Sequence, residues 1–140
     1  MSAKKKKAAV IGAGLAGCEA AWQLSRAGIA VDLYEMKPEK HSPAHKADTF
    51  AELVCSNSLK AERLNSAAGL LKAEMETFSS ICVESAKQTR VPAGGALAVD
   101  RNAFSERITE AVTNAPGVRV IHKEVAELPA DADVVILAVG

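Results

Sequence analysis

Apolar positions along the chain fall into two kinds of pattern. Continuous or nearly continuous runs occur at Ala8–Ile11 (AAVI), Ile29–Glu35 (IAVDLYE), Ala96–Val99 (ALAV), Val118–His122 (VRVIH) and Val134–Gly140 (VVILAVG). Each reads as a strand, and Ala8–Ile11 and Val134–Gly140 in particular suit strands of a parallel sheet covered on both faces. Between them apolar residues return at helical spacing. Leu15, Cys18, Ala21, Trp22 and Leu24 share a face of a predicted helix that Gly28 closes as its C′ residue. From Asn65 to about Gln88, Leu71, Met75, Phe78 and Cys82 are spaced by four, three and four, which predicts a helix with a core-facing stripe. Asp100 is placed to cap a further helix through about Thr113, with Phe104, Ile108, Ala111 and Val112 on one face and NAPG as its stop. Strands alternating with helices predict an α/β, doubly wound fold. VVILAVG belongs in the middle of such a sheet, so residues 1–140 are expected to be the N-terminal portion of a longer protein, incomplete at the C-terminal side of its sheet.

The junction between the first run and the first helix reads VIGAGLAGC, and it has two meanings. Behind the lysine run at Lys4–Lys7, it could lead to a lipid-acceptor Cys18; equally, it could be a glycine-rich turn for a dinucleotide. The residues after Cys18 favour the turn, because they have the pattern of a helix rather than a polar tether, and three glycines make a poor signal core. Gly12, Gly14 and Gly17 form GxGxxG between strand and helix. The first permits the tight turn, the second lets backbone approach a pyrophosphate, and the third lets the helix pack on the sheet. Residues Gly12, Ala13, Gly14, Leu15, Ala16 and Gly17 are therefore expected to offer N–H groups and a positive dipole end to phosphates. Glu35 ends the second strand, 18 residues beyond Gly17, where a carboxylate accepts hydrogen bonds from ribose and repels a 2′-phosphate. The motif alone does not choose between FAD and NAD.

Composition narrows the partners. In 140 residues, 17 basic and 17 acidic side chains cancel, so an RNA partner would have to meet a local patch. No run of 18 apolar residues exists to span a bilayer. Cys18, Cys55 and Cys82 form neither a disulfide framework nor a zinc pattern, which suits a reducing cytoplasm. Residues 36–50, polar with two prolines and two histidines, read as a long loop. His41 and His45 lie four apart with Pro43 between them and no third ligand nearby, so no metal is expected. Ser56, Asn57 and Ser58 are placed to cap a short helix over LKAER, which would set Cys55 beside a helix start where its thiol gains nucleophilicity. Its flanking by Leu53 and Val54 instead suits a small buried hydrophobe, the reading given to Cys18 and Cys82. Gly94 and Gly95 suit a plain turn or a place where a flat ring approaches backbone.

Beyond these local readings, VIGAGLAGCEAAWQL, YEMKP, PAHKADTFAELVCSNSLKAE, AAGLLKAEM and TRVPAGGALAVDRNAFS together resemble the N-terminal region of the bacterial folate- and FAD-dependent tRNA (uracil-5-)-methyltransferases. The resemblance implies a Rossmann-like FAD-binding fold, with FAD held by Gly12 through Gly17 and Glu35. It implies Cys55, in an insertion-like segment at residues 38–64, as the nucleophile toward a T-loop uracil of tRNA, or a partner of it. Methylenetetrahydrofolate and NAD(P)H are the implied co-substrates. Arg90 becomes a contact for RNA phosphate or flavin. Related flavoproteins commonly carry a threonine in a final ATG, where this chain has Val139. Other readings stay open: another FAD or NAD oxidoreductase, a wobble-uridine-modifying FAD protein, or a dinucleotide-binding fragment without catalysis.

Overall fold

The computed structural model describes residues 4–140. In chain order its elements are β1 (Lys7–Ile11), α1 (Leu15–Arg26), β2 (Ala30–Glu35), β3 (Ser58–Ala61), α2 (Ala67–Thr77), α3 (Ile81–Gln88), β4 (Arg90–Val91), β5 (Ala96–Val99), α4 (Arg101–Thr113), β6 (Val118–His122) and β7 (Val134–Leu137). Four strands form a parallel sheet in the order β6-β2-β1-β7. Three form a smaller antiparallel sheet, β3-β5-β4.

Register and the two-residue strand period separate the faces of the parallel sheet. Val10, Leu33, Val120 and Ile136 lie across from one another, and all belong to or pack on the main core. Helices α1 and α4 add Cys18, Ala21, Phe104, Ile108 and Val112 to that core, none of them reached by solvent. Burying a side chain the size of Phe104 or Ile108 stabilises the fold by about 1.5–3 kcal/mol. Gly28 takes the expected place after α1, at φ +75°, and Asp100 caps α4 by accepting the Ala103 N–H at 3.0 Å.

The opposite face is polar at its centre. Asp32, 4% exposed, accepts from Arg119 at 2.9 and 3.0 Å and pairs with Lys7 Nζ at 2.6 Å. Burial pushes this carboxyl up, but the bonds from Arg119 and Lys7 outweigh burial and hold it below its ordinary value of 3.8. The folded chain therefore binds fewer protons than the unfolded chain in acid. This stabilisation is complete above the unfolded carboxylate range and drains away as pH falls through the lower folded value. Urea midpoints measured from pH 6 to pH 2 should fall more steeply for the unsubstituted chain than for Asp32→Asn. Parallel curves would show that the ion cluster contributes nothing.

Two sequence expectations change. The helix expected over residues 65–88 is two, because α1 grips a break between them. Trp22 Nε1 donates to the Ser79 carbonyl, Gln23 and Arg26 donate to that of Phe78, and Ser79 sits at φ +54°. Ser80 then caps α3 by accepting the Val83 N–H, while Glu19 accepts from Ser80 Oγ and Cys82 N–H. The stripe is consequently not core-facing throughout: Leu71 and Phe78 are exposed, and only Cys82 is buried. Second, LKAER forms no helix. Asn57 and Val99 exchange hydrogen bonds at 2.9 and 3.1 Å, which draws Ser58–Ala61 into β3 with Leu59 against the core, so Ser58 begins a strand instead of capping a helix. Strand β7 stands at the edge of the four-stranded sheet, with Val134 and Leu137 exposed.

Candidate functional site

Strand β1 ends at Ile11, and the chain must reverse at once to begin α1 four residues later. Gly12 makes the turn at φ +100°, where a side chain would be strained; a Cβ there would also meet the Ala138 carbonyl at 2.4 Å. Gly17 is needed for close approach, since a Cβ on it would lie 1.8 Å from the Gly12 carbonyl oxygen. Gly14 differs from both. Its φ is −75°, and a Cβ there would meet nothing within 4 Å. The fold itself therefore gives no steric reason for glycine at this position.

The start of α1 repeats that asymmetry. Helices α2, α3 and α4 are capped by the side chains of Ser66, Ser80 and Asp100, whereas Gly14 leaves the first turn of α1 without a side-chain cap. Unpaired N–H groups at a helix start favour an anionic oxygen. The N-cap Gly14 lines a cavity of about 310 Å³ whose walls also include Gly12, Ala13, Glu35, Lys37 and Val139. Bare backbone, an uncapped helix start and a carboxylate at the next strand end fit the diphosphate and ribose of a dinucleotide such as FAD. Leu15, Ala16 and Gly17 form the first helical turn; none of the three is in the wall of this cavity, and Leu15 and Ala16 line a separate cleft.

Glu35 is 7% exposed and already bonded: its two oxygens accept the Ala13 N–H at 2.9 Å and the Lys37 N–H at 3.0 Å. A carboxylate has about four lone-pair positions, so both bonds leave room for ribose hydroxyls. They also lock the carboxylate to the turn it serves. Lys37 and Ala51, which sequence reasoning did not single out, complete the surroundings. The Ala51 N–H donates to the Ala13 carbonyl at 2.9 Å, binding the 49–52 corner across the glycine turn.

Cys55 lies four residues beyond Ala51, in the irregular stretch before β3, and its side chain is exposed. Neither local expectation for it holds, because the next element is a strand rather than a helix, and Leu53 and Val54 do not bury it. Cys55 is not among the residues lining the cavity at the glycine turn; four residues reach at most about 14 Å, so its Cα lies within that span of Ala51. The other two thiols are buried. Burial first, then the nearby Glu35 carboxylate, pushes Cys18 up to about 12, and burial also pushes Cys82 upward. Arg90 is engaged with Glu62, both pairs at 2.6 Å, rather than standing free for phosphate. His41 bonds Asp48, and His45 bonds Ser42.

A larger cleft, about 520 Å³, lies between α1, α2, α3 and β3. Leu15, Ala20, Leu59, Met75, Val83 and Leu97 dominate its walls, and the Glu19 carboxylate at its rim is taken by Ser80 and Cys82. Size alone does not make it the reactive site; the uncapped helix start and buried carboxylate lie at the smaller cavity. Among the described residues no three His, Cys, Asp or Glu side chains are grouped to hold a metal, and no helix is long and apolar enough to cross a membrane.

The chain is 59% identical over 132 residues to a methylenetetrahydrofolate-tRNA-(uracil-5-)-methyltransferase of Geotalea uraniireducens, covering 94% of this chain and 30% of that relative. It is 61% identical over 120 residues to the enzyme of the same name from Ligilactobacillus salivarius, covering 86% and 28%. The chain thus spans about 30% of the length of these curated relatives. Among solved structures, p-nitrophenol 4-monooxygenase of Pseudomonas putida aligns with a TM-score of 0.57 at 16% identity, over 90% of this chain and 35% of that one. A peptidyl tryptophan dihydroxylase aligns with a TM-score of 0.55 at 20% identity, over 97% and 32%. These likenesses show the doubly wound, Rossmann-like α/β fold expected from the strand and helix pattern. The family profile described as Glucose inhibited division protein A matches residues 7–140, so its match runs from β1 through the glycine turn to the end of the chain, and the chain belongs to that family.

Proposed function

We propose that this chain is the FAD-holding N-terminal part of a cytoplasmic methyltransferase that methylates carbon five of a T-loop uracil in tRNA, with methylenetetrahydrofolate and NAD(P)H as co-substrates. The observation that carries the proposal is the exposed Cys55 thiol, tethered four residues from a corner bonded to the glycine turn. An oxidoreductase that used only the dinucleotide would have no use for that thiol.

Gly12 through Gly17 would hold the diphosphate on the free N–H groups of α1, and Glu35 would accept from ribose. FAD, when bound, supplies redox equivalents and a carrier for the one-carbon unit. The chain's own part is nucleophilic. Carbon five of uracil reacts poorly until a group adds to carbon six and turns the ring into an enolate, and a thiolate performs that addition. Cys55 is the exposed thiol available, since Cys18 and Cys82 are buried and held in the protonated form. After the one-carbon unit is joined to carbon five, loss of the carbon-five proton, release of the carrier and uptake of a hydride equivalent, which bound FAD would supply, would convert methylene to methyl as the Cys55 sulfur departs.

The test joins this segment to the remainder of a full-length enzyme and presents tRNA containing 5-fluorouracil. Replacement of the carbon-five hydrogen by fluorine should trap the Cys55 adduct as a species stable to denaturing electrophoresis. Cys55→Ala should remove it. An adduct that survives the substitution would move the nucleophile to another residue.

A further inference from the structure

Lys37 is the least ordinary lysine in the described chain. Its side chain is 6% exposed, and every polar group it owns is committed. Its N–H donates to Glu35, and its carbonyl accepts from His122 Nδ1 at 2.5 Å. Its ammonium donates to the Thr49 carbonyl at 2.5 Å, with Glu52 Oε2 at 3.8 Å. A buried ammonium is retained only where its partners offset the loss of water. Here those partners lie on the chain corner that leads to Cys55.

The corner is also held elsewhere. Ala51 sits at φ +51°, a left-handed conformation that non-glycine residues adopt at a cost. Its N–H bonds the Ala13 carbonyl and its carbonyl accepts from Ser105 Oγ at 3.3 Å. Phe50 N–H donates to Thr109 Oγ1 at 2.8 Å. One side of the corner is therefore fixed to α4 and the other to the glycine turn.

We propose that Lys37 is a positioning residue: through its ammonium on the 49–52 corner, occupancy of the cavity beside Glu35 sets where the Cys55 thiol stands. The proposal rests on the reading that this cavity takes FAD and that Cys55 is the nucleophile. It goes further by naming how the two are coupled.

The test again uses this segment joined to the remainder of a full-length enzyme. Cys55 alkylation by iodoacetamide is monitored by peptide mass spectrometry with and without saturating FAD, and buried Cys18 and Cys82 report whether each variant stays folded. FAD should change the Cys55 rate about tenfold in the unsubstituted chain, the factor carried by one charge-assisted hydrogen bond. Lys37→Met, at FAD concentrations that saturate its own site, should lose most of that response, and Lys37→Arg should recover it. A full response in Lys37→Met with Cys18 and Cys82 still protected overturns the proposal and leaves the functional reading intact. So does an unsubstituted chain that binds FAD without any change at Cys55. A chain that takes up no FAD removes the functional reading first, and this inference with it. Should Lys37→Met expose the buried thiols, Thr109→Ala loosens the same corner from α4. An undiminished FAD response there would overturn the corner as the transmitting element.

Discussion

Gly14→Ala should abolish FAD retention while leaving the fold close to its original stability. The two halves of this result have separate causes. The backbone at Gly14 lies in a conformation open to any residue, and an added methyl group meets nothing within 4 Å. The change in stability should stay within about 1 kcal/mol, the scale of an altered N-cap. That methyl group would, however, stand on the bare backbone that the diphosphate must approach, in front of the uncapped turn of α1. Loss of two charge-assisted hydrogen bonds corresponds to an affinity at least roughly 100-fold weaker. Flavin fluorescence titration and a thermal melt on the same sample separate the effects. Undiminished FAD binding would remove the diphosphate from this helix start. A large fall in Tm would show that Gly14 serves packing after all.

Such a division of labour among three glycines was only partly legible in the sequence. The order of strand, glycine turn, helix, strand and terminal acid could be read because each signal is local: a short apolar run, a fixed spacing, and a carboxylate at a strand end. The structure places Gly12, Ala13, Gly14 and Glu35 around one cavity. Local pattern also located β5, β6, α4 and the Asp100 cap. It failed wherever a distant partner overrode it. LKAER has helix-forming residues, yet Asn57 bonded to Val99 makes Ser58–Ala61 a strand. The stripe from Leu71 to Cys82 has helical spacing, yet Trp22, Gln23 and Arg26 on α1 hold the backbone of Phe78 and Ser79 out of a continuous helix. Lys37 and Ala51 carried no signal at all. A lysine in a polar loop looks solvated until Thr49 and Glu52 are folded over it, and nothing in the residue type reveals that an alanine is left-handed.

Gly17→Ala is expected to cost the chain most of its stability, because no neighbouring group can retreat from the added atom. The new Cβ would lie 1.8 Å from the Gly12 carbonyl oxygen, far inside contact distance, so α1 or the turn must move. Gly12 cannot retreat: at φ +100° it faces the Ala138 carbonyl, and its N–H is bonded to the Tyr34 carbonyl at 2.8 Å. Nor can Ala138, whose N–H donates to the Ile11 carbonyl at 2.8 Å just beyond the end of β7. Moving α1 outward instead would pull Cys18 and Ala21 from the core, where neither is exposed. Steric conflicts that propagate through packed backbone belong to the class costing more than about 4 kcal/mol, against a total of about 5–15 kcal/mol for a typical domain. Far-UV circular dichroism with a urea titration measures the loss, and alkylation of the otherwise buried Cys18 reports it independently. A Gly17→Ala chain with an unchanged urea midpoint would mean that the turn has slack between β1 and α1. The same slack would undermine the use of Gly14 as a clean probe, since a mobile turn could also move its methyl group aside for the diphosphate.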